Sequence, residues 1–319
     1  MRPKLTAVFA TFAVLVAGCG SAGDPHNLAP AVTAERPLPA NAGKVTETGE
    51  PGGGSEDCGD PTVSLRPDGK DIPSNSTMDK IKESGKLRVG VDQNTYLFGF
   101  RNPTSGTLEG FDIEIAREIA EAIFGDDSKV QFVAITSGQR IDVLKEDKVD
   151  IVVRTMTINC ERREDIEFSS VYFVAGQRLL VRKDSGHQGM DDLDDKAVCA
   201  AQGSTSLKNI AEVNPEAIPF AVDNWSDCLV LMQQGQVDAI STDDTILAGM
   251  AQQDPTTVVV GDQFTSEPYG VGIPQENKDM VRFINAVLED VRKGSWQSSY
   301  DRWIEPVLGS SNPPRPKYK

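Results

Sequence analysis

VDIVVRTMTINCER, residues 149–162, runs from an apolar strand directly into two threonines, an asparagine and two arginines. A connection that only had to turn the chain would draw on Gly, Pro or Asp. This one offers hydroxyl donors and fixed cations, so the spot beyond the strand end suits something anionic. Part of the stretch has an echo. VLKEDKVDIVVRT (143–155) and LMQQGQVDAISTD (231–243) share a helix, a four-residue turn, Val-Asp and a strand. In open α/β sheets, ligands lie beyond the carboxyl ends of the strands. Two such units facing each other predict a cleft, with Thr155, Thr157 and Arg162 on one wall and Asp243 opposite.

The rest of the body, about residues 76 to 308, keeps an α/β rhythm and is long enough for two lobes. LRVGVD (87–92) and VQFVAI (130–135) read as strands. Between them FDIEIAREIAEAIF (111–124) is a helix with Ile115, Ile119 and Ile123 spaced by four. QRIDVLKED is a further helix. After a crossing segment the alternation resumes with AVCAA, a helix from Thr205, IPFAV, a helix from Trp225 to Gln234, VDAIS, a helix from Asp244 and TVVVG. NKDMVRFINAVLEDVRKG and WQSSYDRWIEP are amphipathic helices that close the chain. Strands alternating with helices predict parallel sheets covered on both faces.

Arg2 and Lys4 precede a 14-residue apolar run, Leu5 to Gly18, that ends in VAGC at Cys19. A bilayer needs about 20 residues, so the run reads as a secretory leader, residues 1–18. A small-residue site ending in Cys resembles a lipobox and predicts lipidation at Cys19. Residues 19–57, rich in Gly, Pro, Ala, Glu and Ser, read as a flexible tether with a reach of roughly 30–40 Å. A net charge of −16 without a basic stripe argues against nucleic acid. The two histidines, His26 and His187, stand in polar segments without metal-ligand spacing, so no metal or cofactor is expected. Setting Cys19 aside leaves four cysteines in an exported chain, which predicts two disulfides. Arithmetic allows three pairings, and the expected one joins Cys199 to Cys228 and Cys58 to Cys160.

The chain resembles the amino-acid-type (type II) solute-binding proteins of ABC importers, with lipoproteins of the glutamine- and glutamate-binding kind as the nearest likeness. The resemblance rests on LRVGVD, EGFDIEIAREIA, KVDIVVRTMTINCERREDIEFSSVYF, QGSTSLKNI and VDAISTDDTILAG, and covers nearly all of 76 to 308. It implies a two-lobed flytrap with parallel-rich sheets, lobe 1 discontinuous over 58–178 and 272–319, and lobe 2 over 179–271. Crossovers near 176–182 and 268–273 would act as hinges, and closure would bury one amino acid.

The resemblance also assigns roles. Arg162 would meet the ligand's α-carboxylate with two parallel charge-assisted bonds, helped by Thr155 and Thr157. Asp243 would take the α-ammonium. Ser204 and Thr205, at a helix start, are equally well read as anion contacts or plain caps. Tyr269 is either a ligand donor or a hinge aromatic. Arg140, in SGQR, is placed where acidic-amino-acid binders carry an arginine. Asp92 stands where some aspartate binders carry a lysine, so it would accept from an amide or neutralise Arg154 or Arg140. Tyr96 or Phe98 would pack on the ligand stem, with core packing the competing role for Phe98. Glutamate, aspartate and their amides are the expected ligands. Expected partners are an ABC permease and its ATPase, or else a membrane sensor, with the protein a monomer on the outer face of the cell membrane. A dehydratase-type enzyme on the same scaffold would need a catalytic acid or nucleophile, and no Ser–His pair offers one.

Overall fold

The computed structural model describes residues 36–45 and 58–319. The expected leader, Cys19 and most of the expected tether lie outside the described residues. Residues Leu38–Lys319 form one compact body, built on two sheets that each have their own apolar core.

After α1 (Thr77–Ser84), strand β2 (Leu87–Val91) starts the first sheet, with Leu87, Val89 and Val91 fully buried. A small hairpin sheet, β3 (Asn94–Thr95), β4 (Gly99–Arg101) and β5 (Leu108–Glu109), leads into α2 (Phe111–Phe124). That helix buries Ile115, Ile119 and Ile123, as the spacing predicts. Each such side chain contributes about 1.5–3 kcal/mol. There follow β6 (Val130–Ala134), α3 (Arg140–Lys145), β7 (Ile151–Val152), α4 (Cys160–Asp165) and β8 (Ile166–Phe168). Strand β9 (Phe173–Ala175) then carries the chain out of this lobe.

The second lobe comprises β10 (Gln177–Arg182), β11 (Ala197–Ala201), α5 (Thr205–Val213), β12 (Ile218–Val222), α6 (Trp225–Gln233), β13 (Ala239–Asp243), α7 (Asp244–Gln253) and β14 (Thr257–Val260). Strand β15 (Glu267–Tyr269) returns to the first lobe. There β16 (Gly272–Pro274), α8 (Lys278–Val291), α9 (Ser295–Trp303) and α10 (Glu305–Leu308) complete it.

The sheets are mixed, where the sequence rhythm predicts parallel ones. In the first, ordered β6-β2-β7-β16-β8, β2 runs parallel to β6 and β7, but β16 is antiparallel to both its neighbours. In the second, β11 is parallel to β12 and β13, while β10 is antiparallel to β13 and β14. The reason is where the chain crosses. Gln177, the first residue of β10, pairs with Asp243, the last of β13, and Gly272 of β16 pairs with Val152 at the end of β7. A strand arriving from the other lobe enters at the end where its neighbours finish, and so must run against them. The crossings themselves form one ribbon, β9 against β15, with Tyr269 opposite Phe173. The crossing at Phe173–Ala175 lies just before the expected 176–182, whereas Glu267–Tyr269 overlaps the start of the expected 268–273.

Segments on both sides of the two lobes are bound to the body. Gly43 and Lys44, within the expected tether, form β1 (Gly43–Lys44), antiparallel to the edge strand β12. An open sheet edge accepts any extended backbone whatever its side chains, which composition does not reveal. Ser64 exchanges backbone hydrogen bonds of 3.0 Å with Lys317 and Lys319. Arg163 is no solvated charge: it donates to Pro61 O at 2.6 Å and Val63 O at 3.1 Å. Disulfides join Cys58 to Cys160 and Cys199 to Cys228, with Cα separations of 5.8 and 5.6 Å.

Candidate amino-acid site

The carboxyl ends of β7 and β13 face each other across a small, nearly filled cavity between the lobes. The structure brings Arg140, Thr155, Thr157 and Arg162 to one side, and Ser204, Thr205 and Asp243 to the other. Two close approaches hold the walls together. A Cβ on Gly203, whose φ is +74°, would lie 2.7 Å from Gly138 Cα across the cleft. One on Gly249 would meet Tyr96 O at 2.6 Å. Only glycine permits either contact. The lobes are therefore closed on each other.

Arg162 sits on α4 because Asn159 caps that helix, accepting from Arg162 N at 2.9 Å, and because Cys160 is tied to Cys58. Its Nη1 donates to Thr157 O at 2.6 Å and its Nη2 reaches Gly203 O, in the other lobe, at 3.3 Å. Arg140 donates through Nε to Ser137 O at 2.8 Å and through Nη2 to the same Gly203 O at 3.0 Å. Burial pulls both guanidinium groups below their ordinary pKa, and for Arg140 repulsion from Arg162 and Arg154 adds to it. A guanidinium stays charged in proteins, so this wall carries positive potential that an anionic group would relieve.

Asp243 is the counterpart. It is 4 % exposed. Its Oδ2 accepts from Tyr269 Oη, which also meets Thr245 Oγ1 at 3.1 Å. Its Oδ1 is buried with no hydrogen-bond partner. Burial, followed by the charge of Glu267, raises its pKa well above the carboxylate range. An orphaned buried acceptor of this kind costs about 1–3 kcal/mol unless a donor meets it. Tyr269 thus acts as a fully buried support for Asp243 and does not line the cavity.

Thr155 is a β-branched residue with φ of +38°, a region such residues rarely enter. Asp112 holds it there, accepting from Thr155 N at 2.8 Å and from Tyr172 Oη at 2.7 Å. Burial raises the Asp112 pKa to about 7, against the lowering effect of those two bonds. Ser204 caps α5, accepting from Leu207 N at 3.2 Å while donating to Ala201 O at 2.7 Å. Its hydroxyl proton is therefore committed.

Three expected contacts lie elsewhere. Asp92 is not free to meet a ligand: its Oδ2 is 2.6 Å from Arg154 Nη2, in a pair 5 % and 1 % exposed, and also accepts from Thr95 Oγ1 at 2.7 Å. Of the two roles the sequence left open for it, neutralising Arg154 is the one the structure gives. Phe98 is fully buried among Phe111, Phe173 and Tyr269. Tyr96 packs on Phe100 and presents its backbone to α7. Conversely, Ser137, Ser206, Trp225, Thr242 and Ile246 line the cavity without having been singled out. Trp225 follows the carboxyl end of β12, so the strand-end rule could have found it. Its Nε1 is buried and unpartnered.

A two-lobed fold joined by a two-strand ribbon, with a cationic wall facing an orphaned carboxylate oxygen, fits a solute-binding protein. Residues 87–306 match the family model described as bacterial extracellular solute-binding proteins, family 3. The chain belongs to that family. It is 41 % identical over 231 residues to the ABC transporter glutamine-binding protein GlnH of Bacillus subtilis, covering 72 % of this chain and 85 % of that one. It is 44 % identical over 208 residues to the glutamine-binding protein of Geobacillus stearothermophilus, covering 65 % and 79 %. With the glutamate-binding protein GluB of Corynebacterium efficiens it shares 32 % identity over 242 residues, covering 72 % and 81 %. A mutant ArgBP from T. maritima superposes with a TM-score of 0.67 at 30 % identity, over 72 % of this chain and 99 % of that one. The protein is a binding protein and not an enzyme.

Proposed function

We propose that the protein captures one polar amino acid, glutamine or glutamate foremost and asparagine or aspartate after them, and delivers it to an ABC importer. The observation that carries this is the unpartnered Asp243 Oδ1 facing a wall that holds two arginines. An α-ammonium meets the first and an α-carboxylate the second. The guanidinium of Arg162 has five N–H groups, of which two are committed to backbone oxygens; the rest suit a bidentate carboxylate. Arg140 and the Trp225 indole N–H supply donors for a side-chain carbonyl oxygen, present in both acids and amides. The glutamine- and glutamate-binding relatives support the same class. The leader ending at Cys19 supports an extracytoplasmic protein anchored by lipid at that residue. A thermal-shift panel of the L- and D-amino acids, followed by calorimetry on the hits, tests the reading. Stabilisation by L-glutamine or L-glutamate is expected; a response only to apolar or cationic amino acids would overturn it. Loss of membrane partitioning in Cys19→Ala tests the anchor.

A further inference from the structure

Beside the site lies the carboxylate of Glu267, whose charge already bears on Asp243. It opens β15, is 3 % exposed and makes no ion pair among the described residues. Four neutral donors hold it instead. Oε1 accepts from Thr265 Oγ1 at 2.8 Å and from Asn209 Nδ2 at 3.4 Å. Oε2 accepts from Thr157 Oγ1 at 2.6 Å and from Thr205 Oγ1 at 2.9 Å. Those last two hydroxyls line the cavity from opposite lobes.

We propose that Glu267 is a positioning residue for the amino-acid site: it latches the lobes through Thr157 and Thr205 and turns both hydroxyls into acceptors toward the ligand. A threonine hydroxyl has one proton and two lone pairs. With both protons given to Glu267, only lone pairs remain to face the cavity. The hydroxyls therefore receive from the ligand's N–H groups, and an anionic group must rely on the guanidinium groups and the first free N–H groups of α5. Because the two hydroxyls belong to different lobes and meet on one oxygen, the latch forms only on closure. Stabilising the closed form raises apparent affinity in proportion to its population.

The inference rests on the amino-acid reading, and a double-mutant cycle separates the two. Glu267→Gln keeps the shape but replaces one acceptor oxygen by a donor, and Thr205→Val removes one of the hydroxyls it holds. By calorimetry with L-glutamine, each is expected to weaken binding about tenfold, and the double variant to lie within about threefold of the weaker single. A merely structural loss would not produce that coupling. Independent costs that multiply to about a hundredfold, or Glu267→Gln binding within about threefold of wild type, would overturn the latch. If the wild type bound no amino acid, the functional reading would fall. The latch would then be judged by the same cycle on urea unfolding without ligand, where coupled losses support it and additive losses refute it.

Discussion

Arg162→Ala is the most informative single change. The side chain is 7 % exposed and is held by Thr157 O and Gly203 O, so the guanidinium is fixed before any ligand arrives. Truncation leaves a buried ligand carboxylate without its partner, which costs about 3–5 kcal/mol. That corresponds to a loss of affinity between about a hundredfold and a few thousandfold. Since every α-amino acid presents the same carboxylate, the loss should be uniform across accepted ligands. Arg162→Lys keeps the charge but not the planar fork and should fall in between. Calorimetry gives the dissociation constants, and melting in the absence of ligand checks that the variant is folded. Folded Arg162→Ala binding any accepted amino acid within about tenfold of wild type would refute the assignment of the carboxylate to this residue.

Arg140→Ala should cost glutamate and aspartate more than glutamine and asparagine; competition titrations showing equal losses would place Arg140 outside the side-chain pocket. Asp92→Ala should reduce stability and leave ligand preference unchanged, because it strands Arg154 at a cost of about 3–5 kcal/mol; urea unfolding checks the first and the ligand panel the second. Asp243 in the closed cleft takes up a proton more readily than an ordinary carboxylate, yet only its ionised form pairs with an ammonium. Binding should therefore expel a proton and tighten as pH rises above the ordinary carboxylate range; affinity flat with pH, with no proton release in buffers of different ionisation heat, would contradict this. Replacing Cys199 and Cys228 together by serine should lower stability by about 3–4 kcal/mol in the chain-entropy account of a loop of this length, measured as a shift in the urea midpoint.

Much of the site could be read from the chain because its residues follow strand ends. Thr155, Thr157, Arg162 and Asp243 lie just beyond or at the end of VDIVV and VDAIS, and a strand end fixes where the next side chains can point. Residues whose role depends on a distant partner were harder to read. Asp92 and Arg154 are 62 positions apart, so the sequence offers their pairing only as one of the roles open to Asp92, and the fold decides for it. Glu267 stands in a crossing segment without periodicity, and its importance comes from hydroxyls on two other elements. Strands β8 and β9 fall in what the sequence offers only as a crossing segment, since FSSVYFVAG has no clean alternation. The antiparallel entries likewise follow from the path between lobes, a property of topology and not of any residue pattern.

The position of β16 has a consequence for the order in which the molecule assembles. Strands β10 to β14 follow one another without interruption, so the second lobe holds all but its short edge strand within one continuous stretch. The first sheet cannot close before Gly272–Pro274 arrives to sit between β7 and β8, nor can α2 be covered before α8 and α9 follow it. In a chain that emerges amino terminus first, the first lobe must wait for the end of the chain with apolar surface uncovered, and is the part most exposed to aggregation until then. In refolding, pulse-labelled hydrogen exchange should protect amides of β11 and β13 before those of β2 and β7; simultaneous protection of both sheets would show that the lobes assemble as one cooperative unit.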